Sequence, residues 1–144
     1  MSNEVDPDFA SQPMPTKNNN EYIQDLVIDD LRKMSPATLP IIDDIEERKQ
    51  FGIKKYGTAL QAHNGRDCLQ DAFEENLDLV MYLKQYMVEN PPESKIKNII
   101  GDPHLMYQSA VTMLMSIKIL IKRRDANKNH AILLAKTQAG EFND

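Results

Sequence analysis

Apolar residues begin to recur at helical spacing only after Asn20. Tyr22, Leu26, Ile28 and Leu31 predict a short helix ending near Met34, where Ser35-Pro36 and Leu39-Pro40 interrupt the pattern. A second helix follows from about Leu39 to Lys55, with Ile41, Ile42, Ile45 and Ile53 on its apolar side. Gly57 and Asn64-Gly65 bracket a loop, since both glycines tolerate the positive φ that turns demand. Asp67 is placed to cap a third helix, with Gln70 as the reciprocal partner of a capping box, and Pro91-Pro92 stop that helix after Glu89. Asp102-Pro103 open a fourth helix reaching Arg124, with proline at the favoured first position, and a last helical segment spans Asn129 to Gln138. No segment alternates as a strand does, so the fold class expected is all-α, a helical bundle. Residues 1–19 read as a loose arm, 20–140 as one domain and 141–144 as a tail.

The stretch Leu105–Ile121 is apolar on more than one face. Gln108, Ser109, Thr112, Ser116 and Lys118 interrupt it, which argues against a bilayer span, so its second face is expected in a subunit interface. Composition narrows the function classes. With 17 basic and 22 acidic residues the net charge is −5, which disfavours a general nucleic-acid or membrane-surface binder. Cys68 is the single cysteine, which excludes an internal disulfide and suits a reducing, cytoplasmic setting. His63, His104 and His130 lack a short zinc-ligand spacing. Lys122-Arg123-Arg124 read as a solvated helix end, and Cys68 as a packing residue in a first helical turn.

The acids are concentrated. Asp71, Glu74, Glu75 and Asp78 fall within an arc of about 100° on the third helix, while Leu69, Phe73, Leu77, Val80 and Leu83 point the other way. Like charges so spaced repel by about 0.2–0.5 kcal/mol per pair, and no Lys or Arg lies between Asp67 and Leu83 to offset that. Such a stripe is either a solvated acidic face or a set of hard oxygen ligands for a divalent cation. On the preceding helix Asp44 and Glu47 share a face, as do Asp43 and Glu47. Paired across the loop, four carboxylates suffice for two or more Mg²⁺ ions, and Lys54, Lys55 and Arg66 nearby suit phosphate oxygens. Acids for metal beside bases for phosphate are the parts of a phosphoryl-transfer site.

Asp44-x-x-Glu47 and Glu75-x-x-Asp78 resemble the paired-acid signature of the MazG-like all-α nucleoside triphosphate pyrophosphohydrolases. The string Glu47-Arg48, Gly52, Lys55-Tyr56-Gly57-Thr58, Leu60-Gln61, Asn64-Gly65-Arg66-Asp67, Asp71, Glu75, Asp78 resembles phage MazZ-type dATP/dGTP members associated with 2-aminoadenine DNA. The likeness covers roughly residues 40–85. It implies Mg²⁺-dependent hydrolysis of a triphosphate, dGTP or dATP foremost, to monophosphate and pyrophosphate, with Mn²⁺ as a substitute metal. Glu47, Glu75 and Asp78 match the family's metal ligands. Asp44 stands where the pattern prefers Glu, with Asp43 as its alternative and Asp71 and Glu74 as further candidates. Glu46 or Glu47 is expected to accept the attacking water's proton, and Lys54, Lys55 or Arg66 to meet the departing pyrophosphate. Tyr56, Gln61, Asn64 and Tyr82 are candidate substrate contacts, together with His63. The family also implies a homodimer or homotetramer. Two alternatives stand beside this reading: a house-cleaning or dUTP/dCTP-directed enzyme of the same fold, and a non-catalytic helical module that binds a partner or nucleic acid.

Overall fold

A computed structural model describes residues 12–91 and 101–139; the start of the expected arm, Pro92 and the expected tail lie outside the described residues. The described chain is 76% helical and contains no strand, so it is all-α. Helices α1 (Ile23–Met34), α2 (Pro40–Tyr56), α3 (Cys68–Glu89) and α4 (Pro103–Gln138) follow one another, with a 3₁₀ turn at Pro36–Thr38. The chain divides into two compact units, Met1–Asp67 and Cys68–Asp144, where the sequence reading has one domain; each is described by itself.

In the first unit α1 meets α2. The Thr38 hydroxyl donates to Leu31 O at 2.8 Å, satisfying a carbonyl that the end of α1 leaves open. Lys49 of α2 donates to Asp25 Oδ1 of α1 at 2.6 Å, and its side chain is 14% exposed against 47% for Asp25. α2 ends at Gly57, whose φ of 75° lies in the left-handed region and lets its N–H return to Ile53 O at 2.9 Å.

Residues 12–20 are not a loose arm. They run beside the loop after α2, bound by Thr16 N–H to Asn64 O at 2.8 Å, Gln12 Nε2 to Asp67 O at 3.0 Å and Asn18 Nδ2 to Ala62 O at 2.8 Å. The stretch has few apolar anchors, yet polar side chains tie it down. Gln12 also accepts the Asp67 N–H at 2.6 Å, the donor that a capping box would give to Gln70. Within α3, Gln70 donates to Glu74 Oε1 at 2.8 Å.

In the second unit α3 packs on α4. Val80 on α3 and Ala110 and Ile121 on α4 are buried at the seam. Asn76, 6% exposed, donates its Nδ2–H to Ala110 O at 2.9 Å and so fixes the register of the pair. Lys118 lies 4.8 Å from the Phe73 ring and Lys84 5.8 Å from the Tyr107 ring, cations laid over aromatics across the seam.

α4 is one helix of 36 residues rather than two segments. Asp125-Ala126-Asn127-Lys128 contains weak helix formers but no Gly or Pro, and each costs at most about 0.7 kcal/mol. Lys122-Arg123-Arg124 therefore stand in mid-helix, not at a helix end, and Arg124 Nε contacts Asp125 Oδ1 at 2.9 Å. By length and composition α4 is apolar enough to cross a bilayer, a possibility the sequence reading set aside. Its outer face carries a groove of about 500 Å³ lined by Leu105, Gln108, Ser109, Thr112, Met113 and Ser116. The Thr112 and Ser116 hydroxyls donate to Gln108 O and Thr112 O, each at 3.0 Å, so that face can be covered without stranding those two donors.

Two measurements check this frame. Asn76→Asp loses the donor facing Ala110 O, and urea unfolding at neutral pH should show about 2–3 kcal/mol lost, partly recovered in acid where the carboxyl regains a proton. The pKa of Lys49 is raised, first by its hydrogen bond to Asp25 and then by the charges of Asp25 and Glu46, against the lowering effect of burial. A raised lysine pKa stabilises fully below the ordinary value of 10.5 and ceases to do so as pH climbs through the raised one. Lys49→Met should therefore cost about 1 kcal/mol near pH 8, a modest figure because Asp25 is half exposed, and the gap to wild type should close in alkali.

Candidate functional site

The seam with α4 decides where the α3 acids lie. Asn76 and Val80 turn inward, so the residues on the far side of the helix turn away from α4. Glu75 and Asp78 are exposed there, and Asp71 and Glu74 are half-buried. Glu74 receives the Gln70 amide, whereas Glu75 and Asp78 carry no hydrogen bond or ion pair among the described residues. The expected division of α3 into a carboxylate face and an apolar face is thus present. Tyr82 continues the acidic face and is 66% exposed, so it is not held as a packed core tyrosine.

On α2 the side facing α1 includes Ile42, Ile45, Lys49 and Ile53, which are half-buried, and Asp43, Asp44 and Glu47 are exposed on the other side. These three are also without a partner among the described residues. Glu46 differs. It is half-buried, accepts from Gln50 Nε2 at 2.8 Å and lies 3.7 Å from Lys49 Nζ. Of the two candidate bases, Glu47 is the one left open. Within neither unit do three His, Cys, Asp or Glu side chains among the described residues gather into one metal-holding group. Asp43, Asp44 and Glu47 belong to the first unit, and Glu75 and Asp78 to the second.

The loop after α2 serves the fold more than a ligand. Gln61 is 4% exposed and its amide is fully engaged. Its Oε1 accepts from Asn18 N–H at 3.0 Å and from the Thr58 hydroxyl at 3.1 Å, while Nε2 donates to Asn18 O and Asn20 O. Gln61, expected as a reader of the base edge, is therefore a strut between loop and N-terminal strap. Asn64 is 5% exposed; its Oδ1 accepts Arg66 N–H at 3.1 Å, and its Nδ2 is buried without a partner among the described residues. Arg66 donates to Pro13 O at 2.9 Å. His63 is exposed and holds a φ of 56°, a left-handed conformation that few non-glycine residues adopt. Cys68 is exposed at the start of α3.

The sequence reading passed over one cluster. Phe51, on the exposed side of α2 with Glu47, has the Arg48 guanidinium 5.3 Å and the Lys55 ammonium 5.6 Å from its ring centroid, and Lys55 also lies 4.9 Å from the Tyr56 ring. Its signal was the placement of Phe51 off the Ile42–Ile45–Ile53 side. Comparison with models of protein families, with curated proteins and with solved structures finds no match for the chain.

If Gln61 is a strut, Gln61→Leu should lower stability by about 2–3 kcal/mol in denaturant, since it strands Asn18 N–H, Asn18 O and Asn20 O. Any ligand affinity measured on the folded fraction should be unchanged.

Proposed function

We propose that the chain is a Mg²⁺-dependent pyrophosphohydrolase of (deoxy)nucleoside triphosphates, with dGTP or dATP as the leading substrates, acting in the cytoplasm on the nucleotide pool. The observation that carries the reading is the set of carboxylates without a partner among the described residues, Glu75 and Asp78 on α3 and Asp44 and Glu47 on α2. Carboxylates held one helical turn apart suit Mg²⁺, the α3 pair having no Lys or Arg between Asp67 and Leu83, since the ion takes one or two carboxylates and keeps its other positions for water and phosphate oxygens. The donor chemistry fits the group. Each pair is assigned to metal, and Mg²⁺ or Mn²⁺ when bound neutralises the charge of the triphosphate.

The chain's own residues supply the rest. A water oxygen attacks the α-phosphorus, the bond from that phosphorus to the bridging oxygen breaks, and dNMP and pyrophosphate form. Glu47, through the carboxylate oxygen not given to metal, accepts the water's proton, because Glu46 is engaged with Gln50 and Lys49. Lys54 and Lys55 meet the developing charge on pyrophosphate. Arg66, tied to the N-terminal strap, and Asn64, with its buried Nδ2, shape the adjoining loop, and Tyr56 offers ring surface to the nucleoside. The outer face of α4 supports a homodimer or homotetramer, since large apolar side chains there (Leu105, Met113, Ile119 and Leu120) are exposed.

Product analysis with each dNTP and NTP tests the reading. Monophosphate and pyrophosphate should appear only with Mg²⁺ or Mn²⁺, and Glu75→Gln should cut turnover at least about 100-fold, as loss of a ligand costs no less than loss of the groups that orient it. Near wild-type turnover in Glu75→Gln removes the metal assignment. Folded protein that turns over no triphosphate removes the enzyme reading and leaves a helical binding module.

A further inference from the structure

The cations of α2 are not used alike. Lys49 is paired with Asp25, as a cation in a protein of net charge −5 is expected to be. Arg48, Lys54 and Lys55 pair with no carboxylate among the described residues, despite the acids one and two turns away. Two of the three gather instead at Phe51, at 5.3 Å and 5.6 Å from its ring centroid. Phe51 is 49% exposed, on the side of α2 away from Ile42, Ile45 and Ile53.

Helix physics explains part of this. Lys54 and Lys55 lie in the last turn of α2, where a cation complements the macrodipole. Arg48 is more than a turn from that end, and the dipole does nothing to place it or Phe51. An exposed ring flanked by unpaired cations has the chemistry that receives a flat aromatic anion: the base stacks on the ring or the guanidinium plane, and the phosphate meets the ammonium groups.

We propose that Phe51 and Arg48, with Lys54 and Lys55, form a platform on α2 for a nucleoside phosphate, Phe51 and Arg48 receiving the base and the lysines the phosphate. This deepens the hydrolase reading, on whose nucleotide substrate it rests, although binding itself does not need turnover. It assigns base contact to α2, where the loop residue Gln61 is not available for it. Glu47, one turn before Phe51, is the carboxylate neighbour that a phosphate must avoid or share a cation with, so a monophosphate, less charged than a triphosphate, is the right probe.

The test is an NMR titration of the full chain in EDTA with dGMP, with inorganic phosphate and with an oligo(dT) strand, for wild type, Phe51→Leu and Arg48→Gln. Phe51→Leu keeps apolar bulk on α2 and removes the ring, and its spectrum reports whether it remains folded. Expected are dGMP-dependent shifts centred on residues 48–56, dGMP binding at least about tenfold weaker in Phe51→Leu and weakened in Arg48→Gln, and phosphate binding unchanged in Phe51→Leu. Equal dGMP affinity in wild type and Phe51→Leu overturns the platform, as does wild type binding dGMP no better than phosphate. Oligo(dT) binding far more tightly than dGMP at the same residues overturns it in favour of a single-strand surface. Hydrolysis with an unaltered KM in Phe51→Leu defeats the platform and leaves the enzyme standing; dGMP binding in a protein that hydrolyses nothing does the reverse.

Discussion

A helix that packs on one neighbour buries one stripe and leaves the rest of its circumference to be accounted for. That constraint organises the second unit. The α3–α4 seam takes Asn76, Val80, Ala110 and Ile121, flanked by the Phe73–Lys118 and Tyr107–Lys84 contacts, and the far sides of the two helices follow from facing away from it. On α3 what faces away is a run of carboxylates; on α4 it is a mixture of large apolar residues and short hydroxyls. The two outer faces thus have opposite chemistry. One suits cations and the other a protein surface, and the single bond from Asn76 to Ala110 O fixes the register on which both depend.

The first unit solves a different problem. A short helix pair offers little core, and Ile28 and Ala59 are its buried apolar side chains. Buried amides and a hydroxyl stand in for the missing apolar contacts: Thr58, Gln61 and Asn64 are among the most buried of the described residues. A buried polar group destabilises unless its partners are present, so the N-terminal strap is part of this unit and not an appendage. Its asparagines and Gln12 supply donors and acceptors that the loop would otherwise lack.

What could be read in advance follows from the range of the interactions involved. Helix bounds were legible because their causes are local: Ser35-Pro36 after α1, Gly57 after α2, Asp102-Pro103 before α4. The carboxylate face of α3 was legible for the same reason, as periodicity within one helix fixes it. The continuity of α4 was missed because polar residues resemble a break while costing the helix only fractions of a kcal/mol each. The strap was missed because its bonds join residues 41 to 55 apart and leave no period in the sequence. Gln61 was misassigned for a related reason, since a loop glutamine looks the same whether its amide faces a ligand or the chain's own backbone.

The charges of α2 separate what stability requires from what it does not. Asp43 lies in the first turn and Lys54 and Lys55 in the last, each where the helix dipole favours its sign. Lys49 joins α2 to α1. Those residues would be well placed in a helix with no ligand at all. Glu47, Arg48 and Phe51 sit in mid-helix on the exposed side, two without a counter-ion among the described residues and one a large apolar ring half in water. Desolvated core packing does not select them, and neither the dipole nor an ion pair does. A side-chain set that the fold leaves unexplained, of complementary chemistry and on one face, is where a ligand has the most to gain.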